Sequence, residues 1–142
     1  MDIKETLQSI SGIDDTIMLY KELIDKLERK RRDFARRTHP AQSPKVKALN
    51  EDFYRVNAAT IARMKEKLLN LQNQKAAAVA IVDMIEDETA RELVRAHYID
   101  GVSLFECTRL FYYSDPSAVR KKIKRALEKE QKQHKAVNNA PF

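Results

Sequence analysis

Glycine and proline are scarce in this chain: two glycines and four prolines in 142 residues. Strands joined by tight turns need both residue types at their corners, so the scarcity predicts an all-α protein. Cys107 is the only cysteine, which excludes an internal disulfide and fits a reducing cytoplasm. With no cysteine pairs, and with His39, His97 and His134 isolated, the sequence suggests no structural zinc site and shows no catalytic constellation. There is no glycine-rich phosphate loop. No stretch approaches the roughly 18 apolar residues of a membrane span. The opening MDIKETLQSISG has neither the basic start nor the apolar core of a secretory signal. These absences lead to the expectation of no catalysis, no cofactor, no metal and no membrane partner.

What is present is apolar and charged in helical rhythm. Hydrophobic residues make up 43% of the chain and charged residues 34%, enough for one core with an extension. The net charge is +6, and Pro116–Lys135 alone carries eight Lys/Arg against two Glu, so the remainder is neutral. A basic excess confined to one segment points to a partner rather than to solubility.

Taken in order, residues 1–13 read as an undefined lead-in. Asp14 and Asp15 mark a helix start, where acids favour the positive end of the dipole. Ile13, Ile17, Tyr20, Ile24, Leu27 and Phe34 then form a heptad seam with one polar step at Arg31. This predicts a first helix from about residue 14 to about residue 37. Its basic end, including Arg29, Lys30, Arg31, Arg32, Arg36 and Arg37, reads as an offset to the helix dipole, with a second nucleic-acid contact or a surface for an acidic partner as the alternative. Thr38–Ser43 is the loop, and Ser43-Pro44 opens a second helix expected to reach about residue 85. Val46, Leu49, Phe53 and Val56 form its first seam, and Ile61, Met64, Leu68 and Leu71 a second one out of phase, a stutter near residues 57–60. The first helix can cover only half of so long a partner. The rest must pack on the C-terminal domain or on a second subunit, which predicts a homodimer through the long helices. The expected domains are a helical hairpin at 1–85 and a smaller helical domain at 86–142.

In the second domain Asp87 is a candidate N-cap for a helix bearing Ala90, Leu93, Val94, His97 and Tyr98 on one face and ending at Asp100-Gly101. Leu104, Cys107 and Phe111 mark one face of the next, short helix. Ser114-Asp115-Pro116 is a capped start for the last helix, with Val119, Ile123, Ala126 and Leu127 as its apolar face. Opposite that face lie Ser117, Lys121, Lys124 and Arg125, with Arg120 on the flank. A helix that buries one side and presents guanidinium and ammonium groups on the other suits the DNA major groove, although solvated basic faces of this kind are common. The residues after Lys129 have no apolar face and read as a disordered tail. His97 and Cys107 read as core residues, and Glu86-Asp87-Glu88 as an acidic helix start rather than a cation site.

Residues 87–129 resemble region four of bacterial sigma factors, the helix-turn-helix that reads a promoter element. The resemblance rests on Tyr98-Ile99-Asp100-Gly101, Ser103-Leu104-Phe105-Glu106-Cys107, Tyr113-Ser114, Val119 and Arg125-Ala126-Leu127. With Ser43-Pro44-Lys45-Val46 opening a long helix ahead of it, the chain is similar to the small sigma-like late transcription regulators of phages and prophages. Cys107 stands where that pattern has Ile or Val, Phe111-Tyr112 replaces a Leu-Gly corner, and the interval from Ser114 to Ala126 is one residue longer. The resemblance implies a long helical hairpin followed by a three-helix DNA-binding domain, with residues 116–127 as recognition helix on double-stranded DNA in the cytoplasm of a bacterial host. RNA polymerase is a further implied partner. Two other readings stay open: a module that binds a host protein such as polymerase or a defence nuclease, and a DNA-packaging recognition subunit.

Overall fold

A computed structural model describes residues 2–37 and 43–138. Among them are six α-helices and no strand: α1 (Ile3–Ser9), α2 (Ile13–Arg37), α3 (Pro44–Asp83), α4 (Glu88–Val94), α5 (Leu104–Leu110) and α6 (Pro116–Asn138). A π-helical segment, Arg95–Ile99, continues α4. None of the described helices is long and apolar enough to cross a membrane. The chain divides into two units, residues 15–72 and residues 1–14 with 73–142. The boundary therefore falls inside α3, not at the expected 85/86. Ala78, Val82 and Ile85 are at most 3% exposed, and Arg91 reaches back to donate to the Ile85 carbonyl at 3.1 Å. The end of the long helix is core for the C-terminal unit.

Residues 15–72 form a long helical hairpin of α2 against the first part of α3. Ser43 Oγ accepts the Val46 N–H at 3.3 Å and starts α3; 38–42 of the expected loop lie outside the described residues. Forty residues give α3 a length of about 60 Å. The α2 seam follows the expected positions, with Ile17 and Ile24 buried and Arg31 half-buried as the polar step. The first seam expected on α3 is corrected: Val46, Leu49 and Val56 are 42%, 62% and 56% exposed. The inward positions are Phe53, Asn57, Ile61, Met64, Leu68 and Leu71, and the two successive steps of four, Phe53 to Asn57 to Ile61, shift the seam where the stutter is expected. Asn57, only 6% exposed, takes the place that Val56 was expected to hold. The reason lies across the hairpin. Arg31 Nη1 donates to Asn57 Oδ1 at 3.3 Å and to the Tyr54 carbonyl at 3.2 Å, and Asn57 Nδ2 donates to the Leu27 carbonyl at 3.3 Å. The two polar steps answer each other. Phe34 stacks on Phe53 with ring centroids 4.1 Å apart, and Lys65 pairs with Glu28 at 3.0 Å.

In the C-terminal unit α4 packs on α6, α5 packs on α6 and on the π segment, and α1 lies on α6 and on the π segment. The lead-in is thus ordered. Asp2 caps α1 by accepting the Glu5 N–H at 3.1 Å, and Ile3, Leu7 and Ile10 are at most 3% exposed. Gly12, at φ +73°, turns the chain into α2, and Gly101, at φ +75°, closes the π segment. The disordered tail is corrected as well. α6 runs on to Asn138, pinned where Gln131 Oε1 accepts the Ile3 N–H at 2.7 Å. Glu130 is 4% exposed, and burial pushes its carboxyl above the usual range. A polar sequence lacks an apolar face to announce this packing, yet α1 supplies the cover.

Candidate nucleic-acid interface

The outer face of α6 is fixed by its inner one. Asp115 Oδ1 accepts the Ala118 N–H at 3.0 Å and Pro116 takes the first turn, so the helix starts as its cap chemistry dictates. Val119, Ile123 and Leu127, four residues apart, are 0%, 4% and 5% exposed. Once that stripe is buried, rotation about the helix axis is set. Ser117, Arg120, Lys121, Lys124 and Arg125 are all exposed on the remaining surface. The structure brings these five together on one helix. Lys132 and Lys135 are exposed in the extended part of α6, where the expected tail hid them; their spacing from Lys121 and Lys124, 11 residues each, was the available signal.

Lys122, inside the same basic run, does not join them. Its ammonium is 2.9 Å from Asp87 Oδ2, and Lys129 is 3.1 Å from Glu86 Oε2. One flank of α6 is therefore neutralised by the corner before α4. Asp87 also caps α4, its Oδ1 accepting the Ala90 N–H at 2.9 Å. That backbone donor, and then Lys122, hold the Asp87 carboxyl below the usual range, while the same pairing raises Lys122. Glu86 and Asp87 are accounted for by capping and ion pairs. Among the described residues no group of three or more His, Cys, Asp or Glu could hold a metal ion.

Ahead of α6, Ser103 Oγ caps α5 by accepting the Glu106 N–H at 3.1 Å. Cys107 is fully buried, and burial pushes its thiol pKa up, away from reactivity. The corner after α5 is closed by the Phe111 N–H donating to the Cys107 carbonyl and the Tyr113 N–H donating to the Thr108 carbonyl, both at 3.0 Å. Between them Tyr112 stands at φ +59° and is 95% exposed. Glycine usually fills such a left-handed cap, because a side chain there costs about 1–2 kcal/mol.

On the other flank of α6, Arg120 and Lys124 border a cleft of about 560 Å³. His97 lines it from the π segment, half-buried, with Nδ1 2.8 Å from the Val102 carbonyl oxygen and its ring edge-on to Tyr98 at 4.8 Å. Lys4 of α1 also lines it; it was invisible while the lead-in counted as undefined, although Ile3, Leu7 and Ile10 behind Asp2 already spell a capped amphipathic turn. At the basic end of α2, Arg29 pairs with Asp25 and Arg31 turns inward, whereas Lys30 and Arg32 are exposed; the side chains of Arg36 and Arg37 lie outside the described residues. Compared with protein-family models, with curated proteins and with solved structures, the chain matches none.

Proposed function

We propose that this protein is a sequence-specific DNA-binding transcription regulator of phage or prophage origin, with residues 116–127 of α6 in the major groove. One observation carries the reading. The exposed face of α6 holds Ser117, Arg120, Lys121, Lys124 and Arg125, while Lys122 and Lys129 beside it are neutralised by Asp87 and Glu86. The cations left over are those that point away from the core. A major groove about 12 Å wide admits a helix, phosphates supply affinity through counterion release, and Arg or Lys can bond guanine edges. The capped corner between α5 and α6 supports a helix-turn-helix frame, as does the resemblance to sigma factor region four. Selection from a random duplex pool should enrich a sequence. Lys121→Ala and Lys124→Ala should each weaken binding and lower the salt slope by about one unit per lost phosphate contact. Equal binding by wild type and the double variant overturns the reading.

The hairpin supports a second part of the proposal. Leu49 and Val56, seven residues apart on α3, are 62% and 56% exposed, a short apolar stripe beside the hairpin's own seam. We infer that two copies pair through it, which would place two recognition helices on one duplex. Sedimentation of the free protein should give a dimer, and Leu49→Glu should give a monomer. A wild-type monomer at the concentrations used for DNA binding removes the dimer and leaves the stripe for polymerase or another host protein.

A further inference from the structure

The cleft beside α6 has a composition that the DNA reading leaves unused. Its floor is apolar: Ile123 and Leu127, 4% and 5% exposed, with half-buried Leu104. Its cations are Lys4, Arg120 and Lys124. Elsewhere in the same unit some lysines and arginines pair with acids, among them Lys75 with Asp14, Arg95 with Asp83, Lys122 with Asp87 and Lys129 with Glu86, while Lys121, Arg125, Lys132 and Lys135 stay exposed on the outer surface of α6. Among the described residues, the three cleft cations are in no ion pair. Its two acids are Asp2, already committed to the α1 cap, and Glu128. Three cations against two acids leave an excess of one positive charge, which matches a monoanion and disfavours a phosphate dianion beside Glu128. About 560 Å³ lies within the usual range for small-molecule sites, which are mostly apolar with a few placed polar groups.

The wall opposite α6 is irregular in a telling place. Residues 95–99 are π-helical, with the Asp100 N–H donating to the Arg95 carbonyl at 3.0 Å, and this widened turn carries the two cleft residues His97 and Tyr98. Single π turns within α-helices are frequent at functional sites. Burial keeps the Tyr98 phenol protonated, a neutral donor.

We propose that this cleft binds a small amphipathic monocarboxylate, its chain or ring on Leu104, Ile123 and Leu127 and its carboxylate at Arg120 and Lys124, and that binding withdraws these two cations from DNA. The site stands on the cleft alone; the coupling rests on the reading of α6 as the DNA-contacting helix. A small anion would then set how firmly the protein holds its duplex.

Decanoate, below its micelle concentration, is the probe, titrated calorimetrically into the full-length protein. Saturable binding of one decanoate per chain is expected, with decylamine binding at least tenfold more weakly. Arg120→Gln with Lys124→Gln should lower decanoate affinity at least tenfold. Lys4→Gln should lower it severalfold and leave DNA binding unchanged, while circular dichroism reports an intact fold. Saturating decanoate should weaken duplex binding by wild type severalfold. No saturable binding, equal binding of decylamine, or indifference to the Arg120/Lys124 pair overturns the site. Unchanged duplex binding at saturating decanoate overturns the coupling. Failure of the DNA reading looks different: no duplex is retained at any decanoate concentration, while the decanoate titration and its loss in the variants persist and support the site.

Discussion

The hairpin and the C-terminal unit are held together by different means. Leu7, Ile10, Val82, Leu93, Val94, Cys107 and Val119, the largest side chains under 2% exposed, all belong to the C-terminal unit. The hairpin has Ile17, Ile24 and Ile61 at 7–9% exposure and places a polar layer, Arg31 with Asn57, in the middle of its seam. Dense apolar packing gives rigidity, which a face such as that of α6 needs if its cations are to keep fixed directions. A polar layer adds little net stability, but it is satisfied in only one register. The hairpin thus gives up burial for alignment, and the C-terminal unit does the reverse.

The sharpest way to break this contrast is to cut one core residue in each unit. Leu93→Ala should cost about 3–4 kcal/mol and Ile24→Ala about 2 kcal/mol, the second site being closer to water and freer to relax. Denaturant melts give the totals, and hydrogen exchange should show hairpin amides opening before those of α4 and α6. A larger loss for Ile24→Ala would reverse the comparison. The polar layer should respond to context. Asn57→Leu should cost about 1 kcal/mol by leaving Arg31 without its side-chain acceptor, and adding Arg31→Leu should recover most of it, since an apolar pair can replace a polar one. Melting of the single and double variants checks this; an unrecovered double variant would mean that the layer contributes stability and not register. The smallest expected change is a gain. Tyr112→Gly should stabilise the C-terminal unit by somewhat less than 1 kcal/mol, relief of the left-handed backbone being partly offset by the greater freedom of glycine in the unfolded chain. A lower melting temperature in this variant would show that the exposed ring makes contacts that stabilise the fold.

Much of this was legible from residue spacing. The span of α2 and its polar step at Arg31 follow from one heptad count, and the caps at Ser43, Asp87 and Asp115 from local donors and acceptors. The errors share one physical cause. Val56 and Asn57 are neighbours, and hydrophobicity alone selects Val56 for the seam; only Arg31 on the facing helix makes Asn57 the inward residue. The tail after Lys129 has no apolar stripe, and Gln131 is met by Ile3 of α1, over a hundred residues away in sequence. At the candidate interface the five outward residues were readable from the rotation of one helix. The neutralisation of Lys122 and Lys129, and the cleft under Arg120, were not.

The sequence by itself determined the helices, most of their ends and the side of α6 that carries its free charge, because helical periodicity and capping act within a few residues. The tertiary structure alone decided which polar residues are buried, which lysines are already paired and where a ligand-sized space remains. Those outcomes depend on distances between segments far apart in the chain, and electrostatics and packing respond to distance in space.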